Sequence, residues 1–299
     1  MARSPDNPAG LRVLRHCLDV GLNFFDSANS YGMGGSEELL GRAVAGRRDQ
    51  AVICTKLAHT EITEDAREGD VTKPAKFTRE LIFRNTEWSL KRLGTDYIDF
   101  VLLHNRDDED GAPTSLDQIV DAMDRLVQAG KARYWGLSNR NRAELTECLE
   151  ICAQSGKAPL SCVQNNYGLL GRGGPTEAMF GLLRRTGLGF MAIGPHAAGQ
   201  LAPGAVAEPG SALADLLGEL ERIAGELCVP RSQVCIAWVL SHPELTTTLA
   251  GAESPQHVDD NLAGSRLRLP NPAIAALNAA GDVYKKCHEP GQGRAGRHA

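Results

Sequence analysis

The stretch Gly21-Leu22-Asn23-Phe24-Phe25-Asp26-Ser27-Ala28-Asn29-Ser30-Tyr31-Gly32 sets the reading of the whole chain. Asn23–Ala28 is a short apolar run closed by a carboxylate at Asp26, and Tyr31 follows in the next loop. Near-continuous apolar runs of this length suit strands of a parallel sheet covered on both faces. The same arrangement returns along the chain. Ala51–Lys56 ends in a lysine, Tyr97–His104 in a histidine, and Arg133–Ser138 in Ser138 followed by Asn139. Ser161–Asn166 carries Gln164 and Asn165 near its end, and Gly189–Gly194 and Thr246–Gly251 complete seven runs. Helical patterns lie over Gly10–Val20, Ser36–Ala45, Thr78–Leu93, Arg142–Gln154, Thr176–Thr186, Ser211–Leu227, Arg231–Ser241, Gln256–Ala263 and Pro272–Tyr284. Gly94 is a good C-cap for the Thr78–Leu93 helix. Thr114 with Asp117 reads as a capping box for a further helix that stops at Gly130. The segment 199–211 is a loop.

Repeated strand–helix units without a change of composition imply one parallel α/β domain over residues 1–286, with a Gly-rich, basic tail over 287–299 that is expected to be mobile. An open doubly wound sheet gathers its ligand groups at one switch point. Here polar residues close strand after strand, which suits a barrel whose strand ends face a common site. The expected fold is therefore a TIM-type (β/α)8 barrel.

The 299 residues are 42% hydrophobic and 23% charged, enough for a large core and too apolar for a disordered chain. Lys plus Arg number 32 against 37 Asp plus Glu, a formal charge of -5, which argues against non-specific binding to nucleic acid or anionic membranes. No run approaches the roughly 18 apolar residues of a membrane span, and the opening residues lack the apolar stretch of a signal peptide. A cytoplasmic location is expected. The eight cysteines contain no Cys-x-x-Cys pair, so no metal site is expected and the thiols are read as reduced core residues.

Asp26, Tyr31, Lys56 and His104 form a set that suits proton delivery to a carbonyl. An unassisted phenol has a pKa of about 10, too high for an efficient donor at neutral pH. A neighbouring ammonium stabilises the phenolate, a carboxylate holds that lysine charged, and a histidine on the next strand orients the carbonyl oxygen. Singly, Asp26, Lys56 and His104 have bland explanations: a loop cap, a snorkelling lysine, a satisfied barrel histidine. Their joint arrival at successive strand ends points to a site instead.

The motifs also carry a family resemblance. Asn23-Phe24-Phe25-Asp26-Ser27-Ala28 with Tyr31-Gly32 and Gly35-Ser36-Glu37-Glu38-Leu39-Leu40-Gly41 resembles the second-strand signature of the aldo-keto reductase superfamily. The likeness continues through Thr55-Lys56, Leu102-Leu103-His104, Trp135-Gly136-Leu137-Ser138-Asn139, Gln164-Asn165-Asn166-Tyr167, and Gly251-Ala252 with Asp260-Asn261-Leu262. It spans Leu11 to Tyr284 and is most similar to the branch of bacterial reductases and potassium-channel β subunits. The resemblance implies a (β/α)8 barrel that binds NADP(H) across its strand ends and reduces an aldehyde or ketone. Tyr31 would be the general acid, Lys56 and Asp26 its supports, and His104 the carbonyl-orienting group. Channel β subunits carry Asn where His104 stands, so the histidine favours a working reductase over a low-turnover cofactor sensor, which is the alternative reading. Ser138, Asn139 and Gln164 match residues that hold the nicotinamide carboxamide, and Asp260 and Asn261 match those at the adenine end.

Three departures from the family pattern bear on the cofactor. Ile193 stands where an aromatic ring usually stacks on the nicotinamide, at a loss of about 0.5–1.5 kcal/mol of stacking, and Gly194-Pro195-His196 replaces the usual Ser-Pro-Leu. Gly251, Glu253 and His257 occupy the region where a Lys or Arg commonly meets the 2′-phosphate. An acid repels that phosphate and accepts a ribose hydroxyl instead, so NAD(H) is a candidate cofactor beside NADP(H).

The segment Gly32-Met33-Gly34-Gly35-Ser36-Glu37 imitates a dinucleotide loop, but Glu37 stands where the third glycine belongs, so the segment reads as a loop and N-cap. The acidic run Asp107-Asp108-Glu109-Asp110 reads as solvated rather than metal-binding. The substrate pocket is expected near 57–63, Trp88, Asn105, Arg106 and 196–200. The count of seven strands, with a helix before the first, predicts a barrel lacking the family's N-terminal hairpin and first strand. Unpaired barrel edges of that kind would favour an oligomer.

Overall fold

The structure is a computed structural model that describes residues 6–288, apart from 64, 68, 71, 109, 110, 172 and 173. Seven strands follow one another in a sheet in sequence order: β1 (Phe24–Asp26), β2 (Val52–Leu57), β3 (Ile98–Leu103), β4 (Ala132–Ser138), β5 (Cys162–Asn166), β6 (Gly189–Ile193) and β7 (Thr247–Leu249). Every expected strand is present, its ends displaced by at most two residues. The helices are α1 (Pro8–Asp19), α2 (Gly35–Val44), α3 (Arg79–Leu93), α4 (Leu116–Gln128), α5 (Arg142–Ser155), α6 (Gly174–Glu177), α7 (Phe180–Thr186), α8 (Ala212–Leu227), α9 (Arg231–Leu240), α10 (Pro255–Arg266) and α11 (Asn271–His288). This is the strand–helix alternation of a (β/α)8-type barrel, seven of whose strands lie among the described residues.

The described residues form two compact units, the first within Met1–Asn165, Gly181–Met191 and Gly251–Asp259, the second within Asn166–Phe180, Ala192–Ala250 and Asp260–Ala299. In the first unit β1 to β5 pair in parallel. Asp26 lies opposite Cys54, Lys56 opposite Leu102, Leu102 opposite Gly136, and Ser138 opposite Gln164. Side chains alternate with a period of two, so this register puts Asp26, Lys56, Ser138 and Gln164 on one face at the same end of the sheet. The other face carries Ile53, Val101, Trp135, Leu137 and Val163, all fully buried. Burying each of the large aliphatic chains contributes about 1.5–3 kcal/mol. Gly136 is required by the close approach of β4 to β5: a Cβ there would lie 2.6 Å from the Cys162 carbonyl oxygen. In the second unit α8 packs on α9 and α11. Tyr167 stacks on Trp238 at 5.6 Å, and the indole Nε1 donates to Asn278 at 2.9 Å.

Helix termini follow local chemistry, with some corrections to the sequence reading. Gly94 caps α3 in the left-handed region at φ 64. Asn141 and Glu144 form a reciprocal capping box on α5. Helix α1 begins earlier than expected, because Asn7 accepts from the Gly10 N–H and Pro8 occupies the first turn. The expected capping box at Thr114 and Asp117 does not form. Ser115 is the N-cap of α4, and Thr114 gives both its N–H and its hydroxyl to the buried Asp107 carboxylate. Asp107 also accepts the Phe77 N–H at 2.7 Å, so it is a structural acceptor rather than a solvated charge. Asp108 pairs with Arg106, while Glu109 and Asp110 lie outside the described residues.

The expected Thr176–Thr186 helix divides into α6 and α7, where the Met179 N–H tightens onto the Thr176 carbonyl. Helix α11 runs through Cys287 to His288, past the expected start of the tail, and 289–299 lie outside the described residues. All eight cysteines are free thiols. Among the described residues no group of His, Cys, Asp or Glu could hold a metal ion, and no single helix is long and apolar enough to cross a membrane.

Candidate active site

The strand ends of the first unit bring four polar side chains together. Lys56, only 1% exposed, projects from β2 and donates from Nζ to Asp26 Oδ2 at 2.6 Å and to the Ser27 carbonyl at 2.7 Å. The second oxygen of Asp26 accepts from Gln164 Nε2 at 2.9 Å, so β5 reaches across to β1 and fixes the carboxylate. Burial opposes the charge on Lys56, but Asp26, Tyr31 and Cys54 outweigh it and raise the pKa above the usual lysine value. The ammonium stands 5.0 Å from the centre of the Tyr31 ring.

Tyr31 sits in the turn between β1 and α2 and meets His104 edge-on, with ring centres 5.7 Å apart. His104 follows β3 directly, and its N–H donates to the Leu57 carbonyl, which anchors the residue beside β2. Its pKa is pushed down to about 4, first by burial and then by the Lys56 ammonium. The imidazole is therefore neutral at pH 7, and such a ring carries one N–H donor and one acceptor.

This shift has a measurable consequence for stability. Between pH 6.5 and 4 the unfolded chain binds a proton at this histidine and the folded chain does not. Stability therefore falls as pH drops through that window, by up to about 3 kcal/mol. Urea unfolding at pH 7 and pH 5 is expected to show a larger loss in the wild type than in His104→Gln. Equal losses would refute it.

The next strand ends supply candidate ligand groups. Ser138 is buried at the end of β4, and its Oγ has no hydrogen-bond partner among the described residues. Asn139 follows at φ 56, donating its N–H to the Gln164 carbonyl and its Nδ2 to Asn105 Oδ1 at 2.7 Å and the His104 carbonyl at 3.1 Å. An orphaned buried hydroxyl on β4, with the buried Gln164 side chain opposite it on β5, fits a bound carboxamide, which offers both a donor and an acceptor. Arg140 was not singled out by sequence. It is buried, donating to the Ser138 and Asn105 carbonyls, and it locks the two loops together. A charged residue just past a strand looks like any exposed loop residue until its partners are known.

Gly251, Glu253 and His257 also belong to the first unit and are exposed at the start of α10, where the Glu253 N–H donates to His257 Nδ1 at 3.4 Å. No Lys or Arg lies between 247 and 265. The remaining expected cofactor residues belong to the second unit. Ile193 closes β6, and its carbonyl accepts the Tyr167 N–H. Pro195 is buried, His196 Nε2 lies 3.1 Å from the Ser232 carbonyl, and Asp260 accepts from Gln233 at 3.4 Å, next to Asn261 in α10.

The model of the aldo/keto reductase family matches residues 3–282. The chain belongs to the aldo/keto reductase family. It is by that membership an oxidoreductase of the NAD(P)H-dependent class. Its relatives include a probable voltage-gated potassium channel subunit beta of Oryza sativa subsp. japonica, 29% identical over 273 residues, or 84% of this chain and 80% of the relative. An uncharacterised oxidoreductase of Bacillus subtilis is 30% identical over 291 residues, covering 91% and 87% of the two chains. The crystal structure of an aldo/keto reductase from Klebsiella pneumoniae, in complex with NADP and acetate, superposes with a TM-score of 0.71 at 26% identity. It covers 96% of this reductase and 87% of the Klebsiella chain.

Proposed function

We propose that the chain reduces an aldehyde or ketone to an alcohol, with Tyr31 as the proton donor. The observation that carries this reading is the Lys56–Asp26–Gln164 chain, which holds an ammonium 5.0 Å from the Tyr31 ring beside a neutral His104. A bound nicotinamide would supply the hydride. His104, neutral at working pH, would give its ring N–H to the carbonyl oxygen and hold it near the Tyr31 hydroxyl. Tyr31 would pass its proton to that oxygen as charge develops there. Lys56 would balance the negative charge left on the phenol oxygen, and Asp26 and Gln164 would keep the ammonium in place. Ser138, Asn139 and Gln164 would receive the carboxamide. Gly251, Glu253 and His257 would meet the rest of the cofactor.

The test is the decay of NAD(P)H absorbance with a panel of aldehydes. Turnover with several of them is expected. Cofactor binding without turnover across the panel would overturn the reading and favour the alternative, a low-turnover cofactor-sensing barrel.

The cofactor preference is proposed from Glu253 and from the lack of any Lys or Arg between 247 and 265. An exposed acid repels a 2′-phosphate and accepts a 2′-hydroxyl. NADH is therefore expected to bind at least as tightly as NADPH in a fluorescence titration. A Kd about tenfold lower for NADPH, or about 1.4 kcal/mol, would refute it.

A further inference from the structure

Glu37 is the acid that spoils the resemblance of the 32–37 segment to a phosphate loop, and the fold gives it other work. Its carboxylate is fully buried, accepting the Thr55 hydroxyl at 2.6 Å through one oxygen and Arg92 Nε at 2.8 Å through the other. Thr55 directly precedes Lys56 on β2. Glu37 itself lies in the first turn of α2, where the Ser36 N–H donates to the Tyr31 carbonyl at 3.2 Å and the Glu37 N–H to the Gly34 carbonyl at 2.9 Å. The Arg92 stem fills the space beside Gly34, where a Cβ would overlap its Cδ. The far end of the guanidinium donates from Nη1 to the Ile62 and Thr63 carbonyls at 3.1 and 2.9 Å, and from Nη2 to Ser89 at 3.3 Å.

We infer that Glu37 and Arg92 are positioning residues that set Tyr31 against Lys56. One carboxylate ties the turn carrying the phenol to the strand carrying the ammonium. One guanidinium ties that turn to the 58–63 loop, which Asn85 also holds through the Ala58 and Thr60 carbonyls. Packing alone leaves a glycine-rich turn free to shift, because Gly32, Gly34 and Gly35 offer no side chains to wedge. A paired, hydrogen-bonded buried charge restricts that freedom, because both Glu37 oxygens and all three Arg92 nitrogens have fixed partners. Misplacing a reacting group by about 1 Å costs on the order of 10²-fold in rate, so the clamp acts on turnover without touching substrate. The inference rests on the reading of Tyr31 as proton donor.

The experiment is a cycle of variants. Glu37→Leu with Arg92→Met removes both charges and keeps the volume, an exchange that buried ion pairs often tolerate. Relative to wild type, kcat with an aldehyde is expected to fall about 10–100-fold while cofactor Kd and KM stay unchanged. In a Tyr31→Phe background the same exchange is expected to cost nothing further, because the residue it positions is gone. An unchanged kcat, or a loss that multiplies with Tyr31→Phe, overturns the inference. Thr55→Val removes only the hydroxyl contact and serves in the same cycle should the double exchange fail to fold. Amide hydrogen exchange over 30–36 reads the clamp without any substrate. Faster exchange in Thr55→Val supports the clamp and unchanged exchange overturns it. A wild type that reduces no aldehyde overturns the reductase reading instead, and the exchange result still decides the clamp.

Discussion

Replacing Tyr31 by Phe is expected to lower kcat by about 10²–10⁴-fold, the usual size of a general-acid contribution. The substitution removes one oxygen and keeps the ring, which preserves the edge-on contact with His104 at 5.7 Å and the packing beneath the Lys56 ammonium. Cofactor affinity and melting temperature should therefore stay near wild type, so the loss falls on the chemical step. Single-turnover oxidation of bound NAD(P)H measures that step directly. Turnover of Tyr31→Phe within a few-fold of wild type would remove Tyr31 from the mechanism.

Replacing Lys56 by Met is expected to damage both turnover and stability. Lys56 is buried and paired, and its loss leaves the Asp26 carboxylate without its cationic partner and the Ser27 carbonyl without that donor. Breaking one side of a buried pair costs about 3–5 kcal/mol because an uncompensated charge remains. The pH dependence has a defined sign. The folded pKa of Lys56 is raised above 10.5, so its contribution is fully present below the unfolded value and is lost as pH rises through the folded one. Urea unfolding should thus show a constant gap between wild type and Lys56→Met from neutral pH to about 10, narrowing above it. Asp26→Asn with Lys56→Met should recover part of the stability and none of the activity. A Lys56→Met variant as stable as wild type at pH 7 would show that the pair contributes no net stabilisation.

The strands of this protein were legible because a parallel sheet covered on both faces forces apolar runs, and each run is broken where a polar side chain must face the site. Asp26, Lys56, His104, Ser138 and Gln164 stood out for that reason. Register then put Asp26, Lys56, Ser138 and Gln164 on one face. Gly94 was legible too, since a left-handed cap has one preferred residue. Thr114 misled because a threonine before a helix has two outlets for its hydrogen bonds. The nearer one, three residues ahead, lost to Asp107, which neighbours it only in the folded chain. Glu37 misled in another way. In the sequence it shows only what it excludes, because its partners Thr55 and Arg92 lie 18 and 55 residues away.

Sequence by itself determined the element order, the strand ends and the kinds of side chain gathered there, because hydrophobic period and residue chemistry act over a few positions. Only the tertiary structure decided which charge answers which. Asp26 pairs with Lys56 and Gln164, Glu37 with Arg92, and Arg140 with the Ser138 and Asn105 carbonyls. Those choices depend on distances closed by folding and on burial, where an unpaired charge is too costly to leave and the nearest complementary group must take it.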